Sequence, residues 1–327
     1  MIIRYARHLW PYVLAALCCG VALYAFDWRA VGSVIGRADW AALGLSAVPI
    51  LLIIFGLGTV RWLAVTGQPV RFANVVDIYL YIAVVIAVAS QTPMQLGESL
   101  KIKFARRSHV TFTTSTMGFL LERIVDLVMV FWLAALGLAW RGDFGALAGI
   151  AAGCALLGTF ALPALLRFIA WRFADTRIGN LLRALSKDAL PPSRFAVLIA
   201  CTAGKWLLVA ALWRAAIQSV GIGIDFPTSM CLVSVVTVVA TLSMVPGGLG
   251  VSELSIRALL ISFGKEPFQA EAAAIAVRLL TPVMIGLGLI HLPILMLLRR
   301  IQPAPNAADS KAGQASGQAQ PAGAKIT

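Results

Sequence analysis

Apolar runs long enough to cross a bilayer recur along this chain, separated by short polar stretches. A spanning helix needs about 20 mostly apolar residues. We read eight such segments, at 9–26, 42–60, 74–91, 112–139, 144–166, 195–217, 228–245 and 269–297. Two shorter helices are predicted at 98–107 and 253–263, each after a stretch rich in Pro and Gly. The pattern therefore predicts an all-α polytopic membrane protein. It has about eight spans plus two short helices, in one transmembrane domain over 1–300. From Gln302 onward the chain is mostly Ala, Gly, Gln, Pro and Ser. Such a composition buries no core, so 301–327 reads as a disordered cytoplasmic tail.

The breaks form part of a repeat. Arg61-Trp62 is followed by Pro93-Met94-Gln95-Leu96-Gly97-Glu98 and then by Arg123. Trp213-Arg214 is followed by Pro246-Gly247-Gly248-Leu249-Gly250-Val251-Ser252-Glu253 and then by Arg278. Arg61 to Pro93 and Arg214 to Pro246 both span 32 positions, and Glu98 to Arg123 and Glu253 to Arg278 both span 25. Matched spacing on both sides of a weak motif points to two repeats, at about 42–139 and 195–297, with a site between them.

Composition agrees with the membrane reading. Hydrophobic residues make up 60% of 327 positions and charged residues 13%, against about 25% charged in soluble domains. The net charge of +13 does not mark a nucleic-acid partner, because the basic residues sit mainly in short loops, where they set orientation. The N-terminal run reads as a retained first helix, too long for a signal core. The five cysteines (Cys18, Cys19, Cys154, Cys201, Cys231) lie in apolar runs as small packers, and the three histidines are scattered, so no metal or cofactor is called for.

With the N-terminus in the cytoplasm and each broken segment re-entrant, two-thirds of the 27 Lys and Arg fall inside. If the broken segments spanned instead, the basic stretch 101–107 would fall outside, against the charge rule. The first break then opens and closes on the inner side and the second on the outer. The two repeats are thus expected to be inverted, in a bacterial-type inner membrane with both termini cytoplasmic.

Several residues are candidates for binding. Glu98 and Glu253 begin the short helices, where they complement a helix dipole, gate, pair with an Arg or receive a cationic head group. Arg123 and Arg278 lie inside long apolar helices, where a charge usually faces the bundle interior. Arg123 has Glu122 beside it and Asp126 at i+3, so an ion pair satisfies it. Arg278 has no acid within a turn, so its partner comes from elsewhere, with Glu253 or a substrate anion available. Arg278 therefore ranks above Arg123 as a substrate contact. Lys205 sits mid-span without a local acid, and a cavity role stands beside snorkelling. Asp77 reads as structural. Arg61 and Arg214, beside Trp at helix ends, read first as interfacial anchors. Lys101, Lys103, Arg106 and Arg107 read first as anchors to anionic lipid, with capture of anionic head groups at the cavity mouth as the alternative.

Gln91–Glu98, Leu121-Glu122-Arg123-Ile124-Val125-Asp126, Val245–Glu253 and Arg278 together resemble the lysylphosphatidylglycerol synthase transmembrane-region family, over roughly residues 5–300. The resemblance implies a flippase-like inner-membrane protein that moves or helps place a modified phospholipid or glycolipid. It carries over to Pro93, Gly97, Glu98, Glu122, Arg123, Asp126, Pro246, Gly250, Glu253 and Arg278. Fused members have a soluble aminoacyl-transferase domain after the membrane part. Here a short tail follows instead, so a separate transferase is the expected partner for any lipid-modifying chemistry. Two other readings stay open. One is an intramembrane lipid-modifying transferase, since paired carboxylates serve acid–base work. The other is a non-transporting partner that recruits a transferase through the basic loop 167–194. No Gly-x-x-x-x-Gly-Lys-Ser/Thr occurs, so ATP is not the direct drive.

Overall fold

The computed structural model describes residues 2–105, 110–142, 145–172 and 191–301. Among them every regular element is helical. The helices are α1 (Ile2–Ala25), α2 (Trp28–Ile35), α3 (Trp40–Thr66), α4 (Phe72–Ala89), α5 (Leu100–Ala105), α6 (Phe112–Arg141) and α7 (Gly145–Arg172). They continue with α8 (Pro192–Ser219), α9 (Phe226–Ser243), α10 (Val251–Ser262) and α11 (Pro267–Ile301). Two 3-10 turns, Pro93–Ser99 and Pro246–Gly248, mark the two breaks. Arg106, Arg107, most of the basic loop and the tail from Gln302 lie outside the described residues.

Local signals fix the helix ends. Asp39 caps α3 by accepting from the Ala42 amide at 2.9 Å, and Gly67 ends it in the left-handed conformation at φ +68°. Asp225 caps α9 in the same way, accepting from Thr228 at 3.0 Å.

Each of the eight expected apolar segments corresponds to one long helix; most ends run past the expected limits, by up to two turns, while α4 and α9 stop two residues short of them. Five of these, α3, α4, α8, α9 and α11, are long and apolar enough to cross a membrane. A sixth follows if α1 and α2, which meet at 86°, count as one bent span. α6 is 30 residues long and carries Glu122, Arg123 and Asp126 mid-helix.

Two features differ from the sequence expectation. α2 was not expected; eight residues are too short to register as an apolar run, yet Asp27 caps them by accepting from Arg29 and Ala30 amides. The first short helix was expected over 98–107. Instead the chain runs in 3-10 turns through Ser99, and α-helix begins at Leu100.

The two halves interlock. α3 packs on α8, α4 on α11 and α6 on α9, and the two 3-10 turns touch each other. Exchanging the halves therefore maps this set of contacts onto itself. Small residues allow the close crossings. A Cβ on Gly288 of α11 would stand 2.4 Å from the Ala87 Cβ of α4, and one on Gly137 of α6 would stand 2.8 Å from the Pro227 carbonyl of α9. Two large apolar clusters fill the interior. One joins α3, α8, α9, α10 and α11 around the second break. The other, around Trp62 and Tyr81, joins α3, α4, α5 and α6 beside the first.

Candidate functional site

The first break begins where α4 ends. The Thr92 hydroxyl accepts from the Gly97 amide at 2.7 Å, which folds the Pro93–Ser99 turns back on α4. Gly97 has to be small here, because a Cβ would lie 2.9 Å from the Ala89 Cα. The second break begins where α9 ends, at Met244. Gln95 and Met244 are the non-glycine residues with positive φ among the described residues, at +56° and +57°. Each break thus holds one residue in a conformation that L-residues with a side chain adopt infrequently. Such outliers concentrate at functional sites.

Behind the first break lies a buried network of charges. Glu98 Oε2 accepts from Lys101 Nζ at 2.8 Å and from Arg123 at 2.7 Å. Lys101 also donates to Glu122 Oε2 at 2.9 Å. Asp126 is the hub. It accepts from Arg61 at 3.2 and 3.1 Å, from Arg123 at 2.8 Å, from Lys205 at 2.6 Å and from the Trp206 indole at 3.0 Å. Four cations therefore surround three carboxylates, a formal excess of one positive charge. Glu98, Lys101, Glu122, Asp126 and Arg61 are buried. Charges so deep persist only when paired. Arg123, with a quarter of its side chain exposed, is the accessible edge of the network.

The second break has a simpler arrangement. Arg278 of α11 donates through Nε to Glu253 in the first turn of α10. Its two terminal nitrogens donate to the Gly247 and Gly248 carbonyls at 2.9 and 3.2 Å. One guanidinium thus holds both the acid and the open backbone of the break. Glu253 Oε2 is buried and has no donor among the described residues. Gly250, at φ +76°, lies against α1, where a Cβ would meet Cys18 at 2.6 Å.

The breaks face one another. A Cβ on Gly247 would stand 3.3 Å from the Ser90 carbonyl. Between them lies a cavity of about 240 Å³. Ser90, Thr92 and Gln95 line it from the first half, and Gly247, Glu253 and Arg278 from the second. Gln95 also accepts from Arg123 at 3.2 Å, so it joins the cavity to the charge network.

Several sequence readings change. Arg61 was read first as an interfacial anchor at a helix end. α3 continues to Thr66, so Arg61 sits more than a turn inside and is buried against Glu122 and Asp126. Lys101 was read as a lipid anchor. It is a buried counter-ion, while Lys103 remains exposed. Lys205, without an acid on its own helix, finds Asp126 on α6. Arg123 takes Asp126 as expected, but Glu122 turns to Lys101 and Arg61 instead. Arg214 donates to the Ile224 carbonyl at 3.1 Å near the end of α8 and joins neither break. Asp77 holds Arg299 at 2.9 and 3.1 Å, tying α4 to α11. Pro93 and Pro246 each open their 3-10 turn. The buried pairing of Lys101 and the membership of Gln95 in the site were not foreseen. The heptapeptide turn that brings them to α6 has no periodic signature.

The sequence profile of the lysylphosphatidylglycerol synthase TM region family matches residues 9–288. The chain belongs to this family. Both breaks, both Glu–Arg pairs and the Asp126 hub lie inside the matched residues. No curated protein and no solved structure matches the chain. Membership in the lysylphosphatidylglycerol synthase TM region family, with the apolar helices, makes this a multi-pass membrane protein related to lipid modification or translocation.

Proposed function

We propose that the protein translocates a phospholipid or glycolipid, or helps place it, across an inner membrane, with the head group passing between the two breaks. The observation that carries this reading is that two broken helices, one from each half, meet at one cavity to which both contribute polar side chains. Open backbone inside a bilayer is tolerated only where it is buried in protein or lines a wet cavity. Discontinuous helices facing each other at a repeat interface are a recurring way to hold a polar cargo there. At about 240 Å³ the cavity is smaller than drug-sized pockets of about 300–1,000 Å³. It therefore takes a head group, and the acyl chains stay in lipid. In this reading the halves are inverted repeats, both termini are cytoplasmic and a separate transferase does any lipid modification.

The test is translocation of fluorescent lipids in proteoliposomes, across anionic, zwitterionic, aminoacylated and glycosylated head groups. Movement above protein-free vesicles for at least one class is expected, and an Arg278→Gln variant with an unchanged size-exclusion profile is expected to lose it. No movement of any lipid by folded, inserted protein would overturn the carrier reading in favour of a transferase or a recruiting partner.

A further inference from the structure

We infer that the cavity between the breaks selects a hydroxyl-rich head group, a sugar or a glycerol, rather than one that carries an amine. This deepens the carrier reading above and rests on it. The hydroxyls of Thr237, Thr241, Ser252 and Thr281 line the cavity, and none of them hydrogen-bonds another described residue. They come from α9, α10 and α11, so three helices converge unpartnered hydroxyls on one space. Threonine and serine inside apolar helices usually return their hydroxyl to the backbone carbonyl four residues earlier. Thr59, Thr66, Thr159, Thr202 and Ser234 do so here. Of the hydroxyls around the cavity, Ser90 and Thr92 bond the Ala87 and Ala89 carbonyls, whereas Thr237, Thr241, Ser252 and Thr281 bond none.

Glu253 adds a carboxylate oxygen. Its side chain is over nine-tenths buried, it lines the same cavity, and Oε2 has no donor. A buried acceptor left unmet is expensive, so the site is completed by a ligand that donates to it. A hydroxyl and an ammonium could both donate. The charge balance decides between them. Glu253 is already neutralised by Arg278, and the network reached through Gln95 carries an excess positive charge. A further cation would be buried beside uncompensated positive charge, which a low-dielectric interior penalises. A hydroxyl satisfies Oε2 with no added charge and also accepts from the threonine hydroxyls. The volume equals that of about eight water molecules, room for one polyol or sugar ring.

The test measures binding, which does not depend on translocation. Purified protein in a sugar-free detergent and glycerol-free buffer is titrated with dioctanoyl lipids carrying glucosyl, phosphoglycerol or phosphoethanolamine heads. The glucosyl or phosphoglycerol lipid is expected to bind at least tenfold tighter than the phosphoethanolamine lipid, and which of the two leads distinguishes sugar from glycerol. A Thr237→Val/Thr281→Val variant with unchanged melting temperature is expected to bind the hydroxylated lipid about tenfold more weakly, the effect of losing two hydrogen bonds. Equal or tighter binding of the amine lipid, no binding of any lipid, or unchanged affinity in the variant would overturn the inference; the last would mean that the hydroxyls hold only water. Selective binding without translocation would defeat the carrier reading and leave the head-group assignment standing. Translocation without head-group preference would do the reverse.

Discussion

Glu253 is ion-paired to Arg278, 25 residues further along the chain, as Glu98 is to Arg123 at the same separation. In both halves the pair fastens a helix break to the long helix that follows it. The second pair also holds two backbone carbonyls of its break. Removing Arg278 therefore strands a buried carboxylate and two carbonyls at once. Arg278→Ala is expected to destabilise the folded protein by about 3 kcal/mol, the usual effect of breaking one partner of a buried pair. A Glu253→Gln/Arg278→Gln double variant is expected to lose less than the sum of its single variants. Unfolding in detergent across the four-member cycle checks this, and strict additivity would contradict it.

Lys101 and Lys103 stand two positions apart on α5 and do different work. Lys101 bridges Glu98 and Glu122 inside the protein, whereas Lys103 is exposed. Lys101→Met is expected to destabilise by about 3 kcal/mol. Lys103→Met is expected to stay within about 0.5 kcal/mol of wild type. Equal effects in the same melt would restore the reading of both as lipid anchors.

Asp126 carries the heaviest load in the first half, with Arg61, Arg123, Lys205 and Trp206 all donating to it. Neutralising it leaves four cations facing two carboxylates. Asp126→Asn is expected to lower the melting temperature more than Glu98→Gln, which keeps the hub intact. Lys205→Met is expected to recover part of the Asp126→Asn loss by removing one of the uncompensated cations. Absence of that recovery would count against the hub.

Close crossings bind the halves at Gly288 and Gly137. Gly288→Ala is expected to cost about 1–3 kcal/mol through overpacking, because its methyl would press on Ala83 and Ala87. Gly286, two residues earlier on the same helix, opens onto free space, and Gly286→Ala is the matched control. Both are read as shifts in melting temperature.

Much of this fold is legible in the sequence because a bilayer demands long apolar runs, and those runs need no partner to be recognised. The breaks are legible through Pro93, Pro246 and their glycines. Glu253 could be named in advance as a partner available to Arg278, because the spacing repeats. What escaped the sequence depends on direction. Lys101 reaches Glu122 only because the Thr92–Gly97 hydrogen bond folds the turn back. Arg61 becomes a core residue because α3 runs nearly two turns further than its apolar signal. α2 is hidden because eight residues are too few to register as an apolar run of spanning length.

The most direct test of the account asks whether the two breaks must part for a lipid to move. A Cβ at Gly247 would lie 4.0 Å from the Gln91 Cα; one C–C bond further back, the two Cα atoms are at most about 5.5 Å apart, and a disulfide spans up to about 6.8 Å. Gln91→Cys/Gly247→Cys, made in a background with the native cysteines replaced by Ala, is expected to cross-link on oxidation. Placing Cys at φ +60° costs about 1–2 kcal/mol, so the reduced protein is the reference for folding and activity. Lipid translocation in proteoliposomes is expected to stop when the disulfide forms and to return on reduction. Undiminished translocation by fully cross-linked protein would contradict passage of the head group between the breaks.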